Sequence, residues 1–209
     1  LTGNAMGQVV MGVAGGIPNL EIDTGTNNVT LSGTISITVD YLTSTSLFKV
    51  TSVGALTTTG STLIFYGGNT SVYPSTATYN NVVFSTGSSV DLNGSTINIA
   101  GTTTIDGGYN RVISDGTVNC YGDITAIDVS NYGRTGTAVV VAKGKISGQT
   151  ISATSATASI PNLHIDSGVN DVTISGDVTV AGSFKVLSVG NLNVAGSTLV
   201  MRSTGTLDS

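Results

Sequence analysis

Tryptophan is absent from this chain of 209 residues, and it holds one cysteine, Cys120, and one histidine, His164. A single cysteine excludes an intramolecular disulfide and the paired-cysteine zinc sites. The lone histidine has no second imidazole with which to build a metal centre. Charge is scarce: only 9 % of residues are Asp, Glu, Lys or Arg, and the net formal charge is -5. The seven basic residues are scattered, Lys143 and Lys145 being the closest pair, so no basic face exists to neutralise phosphates and nucleic acid is excluded as a partner. No run of about 18 apolar residues occurs, which excludes a membrane-spanning helix. The chain opens at Leu1 without an initiator Met or a signal peptide, as expected of a processed chain or of an excerpt from a longer one.

Thr and Ser make up more than a quarter of the chain, and Gly adds 28 residues. Disorder favours high net charge and few β-branched residues, and neither holds here. Val, Ile and Thr fit a pleated surface best, so the composition points to an all-β fold.

The chain also repeats itself. Ile17-Pro-Asn-Leu-Glu-Ile-Asp-Thr-Gly-Thr-Asn-Asn-Val-Thr-Leu-Ser-Gly returns as Ile160-Pro-Asn-Leu-His-Ile-Asp-Ser-Gly-Val-Asn-Asp-Val-Thr-Ile-Ser-Gly. A looser copy begins at Tyr79-Asn-Asn-Val-Val-Phe. The outer copies stand 143 residues apart at Ile17/Ile160 but 136 apart at Phe48/Phe184, so the first carries seven extra residues. These fall around Asp40 to Ser46, where a protruding loop is expected, because solenoid insertions map to loops. Within each copy apolar and polar residues alternate, as in Leu20/Ile22, Val29/Leu31 and Ile35/Ile37, between Gly, Asn, Asp and Ser turns. Ala138 to Ala142 is a continuous apolar run, consistent with a strand covered on both sides.

Short strands with turns every eight to ten residues suit a parallel β-solenoid (β-helix) or an array of β-sandwiches. The solenoid is favoured on three grounds. Near-identical strands recur in one order and can stack in register. Aromatic anchors are few. Thr, Ser and Asn can form hydrogen-bonded ladders along a coil face. The expected organisation is one elongated solenoid over 1–209, with repeats at 17–68, 79–159 (degenerate) and 160–209.

These openings, followed by Val-Thr-Leu-Ser-Gly or Val-Thr-Ile-Ser-Gly, resemble the β-strand repeats of very large prokaryotic cell-surface and secreted proteins, adhesin-like and filament-forming. The resemblance covers most of the chain, least over 110–155. It implies extracellular, rigid, repetitive scaffolding and carries over no catalytic residue.

Residues able to carry chemistry are few. His164 lies between Leu163 and Ile165, and Glu21 holds its place in the first copy, so it is expected on the outer surface. Asp166, Asn170 and Asp171 form an Asp-x-Gly-x-Asn-Asp turn with oxygens of the kind calcium takes; turn hydrogen bonding is the simpler account. Asp106, Asp115, Asp123 and Asp128, with Arg111 near, are the densest acids, but their spacing fits no glycosidase pair. Tyr109, Tyr121 and Tyr132 are candidates for a sugar-binding patch. Thr57-Thr-Thr and Thr102-Thr-Thr have the composition of ice-binding arrays but do not recur in the last copy. Asn28, Asn69 and Asn93 match a glycosylation sequon of the kind chance supplies in so Ser/Thr-rich a chain. The expectation is therefore no enzyme, no cofactor and no metal. Cell-surface glycans form a second class of partner, through an adhesin segment or a polysaccharide-active β-helix.

The ends carry the sharper expectation. Solenoids normally cap their termini, yet Val9, Val10, Met11 and Val13 lie near one end and Leu199, Val200 and Met201 near the other. These seven form the expected assembly interface of an extracellular fibre, filament or sheath that grows head to tail.

Overall fold

The computed structural model describes residues 1–2, 5–12, 14–39, 45–85, 88–106, 113–127, 136–155, 157–194, 196–201 and 207–208. It is all-β, and every strand pairing is parallel, which excludes a sandwich of antiparallel sheets and makes the chain a β-solenoid of about eight turns. The expected loop lies largely at 40–44, outside the described residues.

Each coil visits three faces in turn. Face 1 begins with Asn19–Asp23, Thr45–Ser52 and Gly68–Tyr73. Face 2 begins with Gln8–Met11, Val29–Ser32 and Leu56–Thr57. Face 3 is one continuous sheet of eight strands, from Thr34–Thr38 through Thr62–Tyr66 and Asn81–Phe84 to Leu192–Asn193. Two long strands, Ser88–Ile99 and Ile113–Cys120, turn a corner and belong to two faces. The first halves pair with each other beside 68–71 on face 1; the second halves pair with each other and with 139–142 on face 2. The bend falls at Asn93 and Gly94, both at positive φ (51° and 70°). In the next coil it falls at Gly116, where a Cβ would meet the Cβ of Leu92 at 2.5 Å. Beyond that corner face 1 continues through the Thr137 N–H to Ser114 C=O bond into Ser159–Ile160, Asp177–Val180 and Thr198–Met201.

The interior is a set of ladders, one inward residue per coil. On face 3 one ladder runs Ile35, Leu63, Val82, Thr103, Ile124, Ile151 and Ile174, all at most 1 % exposed. On face 2 another runs Ile99, Cys120, Ala142 and Ile165. Small residues fill the middle coils and large ones the early coils. There Phe48 packs edge-on against Phe65 and Tyr79 (5.9 and 5.7 Å between ring centres), and Phe65 stacks on Phe84 at 5.8 Å. The Tyr79 hydroxyl, which would be costly to bury alone, donates to the Pro74 carbonyl at 2.8 Å. Thr103, the one polar rung of its ladder, donates to Cys120 Sγ at 3.2 Å.

The copies of the repeat do not stack on one another. Leu20 and Ile22 lie on face 1, Val82 and Phe84 on face 3, and Leu163 and Ile165 on face 2. Leu20 pairs with Phe48, whereas Leu163 pairs with Val140 and Phe184. The expectation of like-on-like register is thus corrected. The distance between copies is not a whole number of coils, so the motif is a reusable corner that serves any face.

What the motif supplies is a staple between coils. An Asn or Asp side-chain oxygen accepts the backbone N–H of the coil above: Asn28 from Ala55, Asn81 from Thr102, Asn162 from Ser183 and Asp171 from Asn191, all at 2.8 to 2.9 Å. In each case the residue before the donor is glycine, and a Cβ there would lie 2.2 to 2.8 Å from the accepting oxygen. Gly101→Ala should therefore open the Asn81 staple and destabilise the fold by about 1–3 kcal/mol. Urea unfolding reads this as a lower midpoint at unchanged slope.

Candidate functional site

The Asp-x-Gly-x-Asn-Asp turn closes on itself and on the next coil. Asp166 Oδ2 takes Lys143 Nζ at 2.8 Å, and Oδ1 takes the Ser188 hydroxyl at 2.7 Å. Ser167 Oγ donates to the Asn170 carbonyl, and the Gly168 N–H donates to Ser188 Oγ. Asp171 Oδ1 is the staple to Asn191. The first copy builds the same corner with Asp23, Thr24, Gly25 and Ser52. The Asp166 and Asp171 carboxylates and the Asn170 backbone are thus engaged in turn and staple bonds. Among the described residues no group of three His, Cys, Asp or Glu gathers.

His164 faces outward between Leu163 and Ile165, with Val141 and Lys185 beside it on the neighbouring strands. Its Nε2 is buried without a hydrogen-bond partner. Loss of solvent, with Lys185 adding to it, holds its pKa below the ordinary histidine value. Glu21, its counterpart, is paired with Lys49 at 2.8 Å and is held below the usual carboxylate range by that bond, with Thr51 adding to it. Cys120 is fully buried, and burial pushes its thiol up to about 12, so it is neither a disulfide partner nor a nucleophile.

The acids stand on three different corners. Asp115 accepts the Gly116 N–H where face 1 turns into face 2. Asp123 lies between faces 2 and 3, bonded to Lys145 at 2.7 Å and to the Thr150 N–H. Asp106 follows Thr103–Ile105, where face 3 leads back to face 1. Asp128, Arg111, Tyr109 and Tyr132 fall outside the described residues, and Tyr121 is exposed at the corner between faces 2 and 3. The two Thr triplets lie on different faces; Thr58 and Thr103 are buried within them. Of the sequon asparagines, Asn28 is a staple and Asn69 and Asn93 are exposed.

The predicted assembly residues divide by alternation. Val10 points inward over Leu31, whereas Val9 and Met11 point sideways off face 2 and are 55 % and 66 % exposed. Val13 lies outside the described residues. At the other end Leu199 and Met201 point inward over Val178 and Val180, and Val200 points out. Val178 and Val180 are fully buried, but Leu199 and Met201 are only partly so, as are Val186 and Leu192 in the same coil. Leu207–Asp208 pairs over Phe184–Lys185 on face 2, and the coil at 184–201 leaves part of its share of the core, with the free side of the uncharged Thr198–Met201 strand, open to solvent.

Alternation in Leu63-Ile-Phe-Tyr also puts Phe65 in the core and Tyr66 outside, 52 % exposed. Tyr66 lines a groove of about 790 Å³ on face 3, which sequence reasoning did not single out although the two-residue period marks the residue as outward. Comparison with family models, curated proteins and solved structures finds no match.

The histidine fixes a pH dependence. Its lowered pKa means the unfolded chain binds the proton more readily. Stability is therefore full above the ordinary histidine range and falls as pH drops through it. The paired Glu21, Asp123 and Asp166, also lowered, add losses only at lower pH, within and below the carboxylate range. Thermal unfolding of His164→Gln should lose the first of these steps and keep the second.

Proposed function

We propose that the chain is an extracellular structural protein, a stiff rod of stacked coils that assembles head to tail through the ends of its solenoid. One observation carries this reading: the inward residues of the coil at 184–201, Leu199, Met201, Val186 and Leu192, are partly exposed where their partners one coil below are buried. The unpaired side of the uncharged Thr198–Met201 strand, beside partly exposed core residues, is a surface on which one more coil adds both backbone hydrogen bonds and apolar burial. A heterologous contact of this kind does not close on itself and gives a filament. The low charge, the buried ladders and the stapled corners suit a load-bearing, protease-resistant scaffold. The resemblance of the repeat sequences to those of adhesin-like and filament-forming proteins points the same way, as an analogy.

Electron microscopy and light scattering test it together. The purified chain should show rods that lengthen with concentration, and Leu199→Asp with Met201→Asp should leave single short rods of unchanged circular dichroism. A concentration-independent monomer of the unaltered chain would contradict the proposal.

A further inference from the structure

The groove on face 3 has a construction unrelated to the ends. Its wall is the Gly-rich segment around Gly15 and Gly16, which stands off the sheet beside Thr34–Thr38 and is tied to it by the Thr38 hydroxyl and by the Ile17 N–H to Ser36 bond. The approach is close: a Cβ on Gly12 would overlap the Thr34 carbonyl, and one on Gly16 would lie 2.6 Å from the Thr38 side chain. Its floor is Ser36, Ile64 and Val83, successive outward residues of three adjacent strands, with the Tyr66 ring at one side. Among the described residues no charged side chain lines it.

That floor continues beyond the groove. The outward row after Val83 is Thr104, Thr125, Ser152 and Ser175, one hydroxyl per coil at the strand spacing of about 4.8 Å. This spacing is close to the length of one sugar ring in a linear chain. A cleft with an apolar floor, an amphipathic ring on its flank and a file of hydroxyls leading from it offers what an uncharged sugar polymer needs. The apolar floor and the ring take the C–H faces of the sugars, and the hydroxyls exchange hydrogen bonds with theirs. A charged polymer would leave its charges unpaired there.

We infer that face 3 binds a linear, neutral polysaccharide, with one sugar held against Tyr66 in the groove and the chain running along the hydroxyl row. The inference is independent of end-to-end stacking, since these residues lie on a side face.

Affinity electrophoresis through gels holding soluble neutral polymers (hydroxyethylcellulose, xyloglucan, galactomannan, dextran) or charged ones (alginate, polygalacturonate) tests it. At least one neutral polymer should retard the chain. Tyr66→Ala should weaken that retardation about tenfold or more, as expected for an aromatic anchor. Val83→Lys should do likewise by filling and charging the floor, and Tyr121→Ala, outside the groove, should not. Circular dichroism of each variant confirms the coil stack. Retardation by none of the neutral polymers, retardation by the charged ones alone, or retention indifferent to both Tyr66→Ala and Val83→Lys would overturn the inference.

Discussion

The structure depends on coil-to-coil registration. A single coil of this solenoid has no interior, and its inward Ile, Val, Leu and Phe side chains are buried only by the coils on either side. Backbone pairing alone fixes the spacing of the strands but leaves their offset free by two residues, since a two-residue slip preserves which side chains point inward. The Asn and Asp staples remove that freedom. Each ties one named side-chain oxygen to one named N–H of the next coil, over a glycine that admits no side chain. The buried Gln149 adds a fifth link from the inside, donating to the Cys120 and Gly122 carbonyls and accepting the Gly144 N–H.

That constraint explains the uneven sizes of the core residues. The early coils hold four contacting aromatic rings, whereas the coils around 120–153 hold Cys120, Ala126, Ala138, Ala142 and Ala153. A ladder position can change size along the rod only if its neighbours in the same coil change with it, because interiors tolerate neither voids nor overpacking.

Most of the architecture was legible in the chain. Alternation in Leu20/Ile22, Val29/Leu31 and Ile35/Ile37 named the inward residues correctly, and the Ala138 to Ala142 run marked a strand whose outward Val141 is also buried. The face on which each repeat copy sits was not legible. It depends on the cumulative length of every corner between the copies, and corner lengths are set by turns whose three-dimensional reach a one-dimensional pattern does not carry. The staples were present as Asn81, Asn162, Asp171 and their glycines, but the residues that meet lie 20 or 21 positions apart, beyond any local motif. Tyr66 was hidden for the opposite reason: its outward direction was plain, while the groove it lines is walled by Gly12 and residues 14–16 from the preceding coil.

Hydrogen exchange, followed by mass spectrometry at a concentration where the chain is monomeric, tests the account most directly. If each coil is held by its neighbours, protection should be greatest in the strands at 97–99, 118–120, 140–142 and 163–165. It should decline through 184–188 to 198–201 at one end and toward 8–11 at the other. Uniform protection along the chain, or faster exchange at its centre than at its ends, would contradict the dependence of every coil on the next.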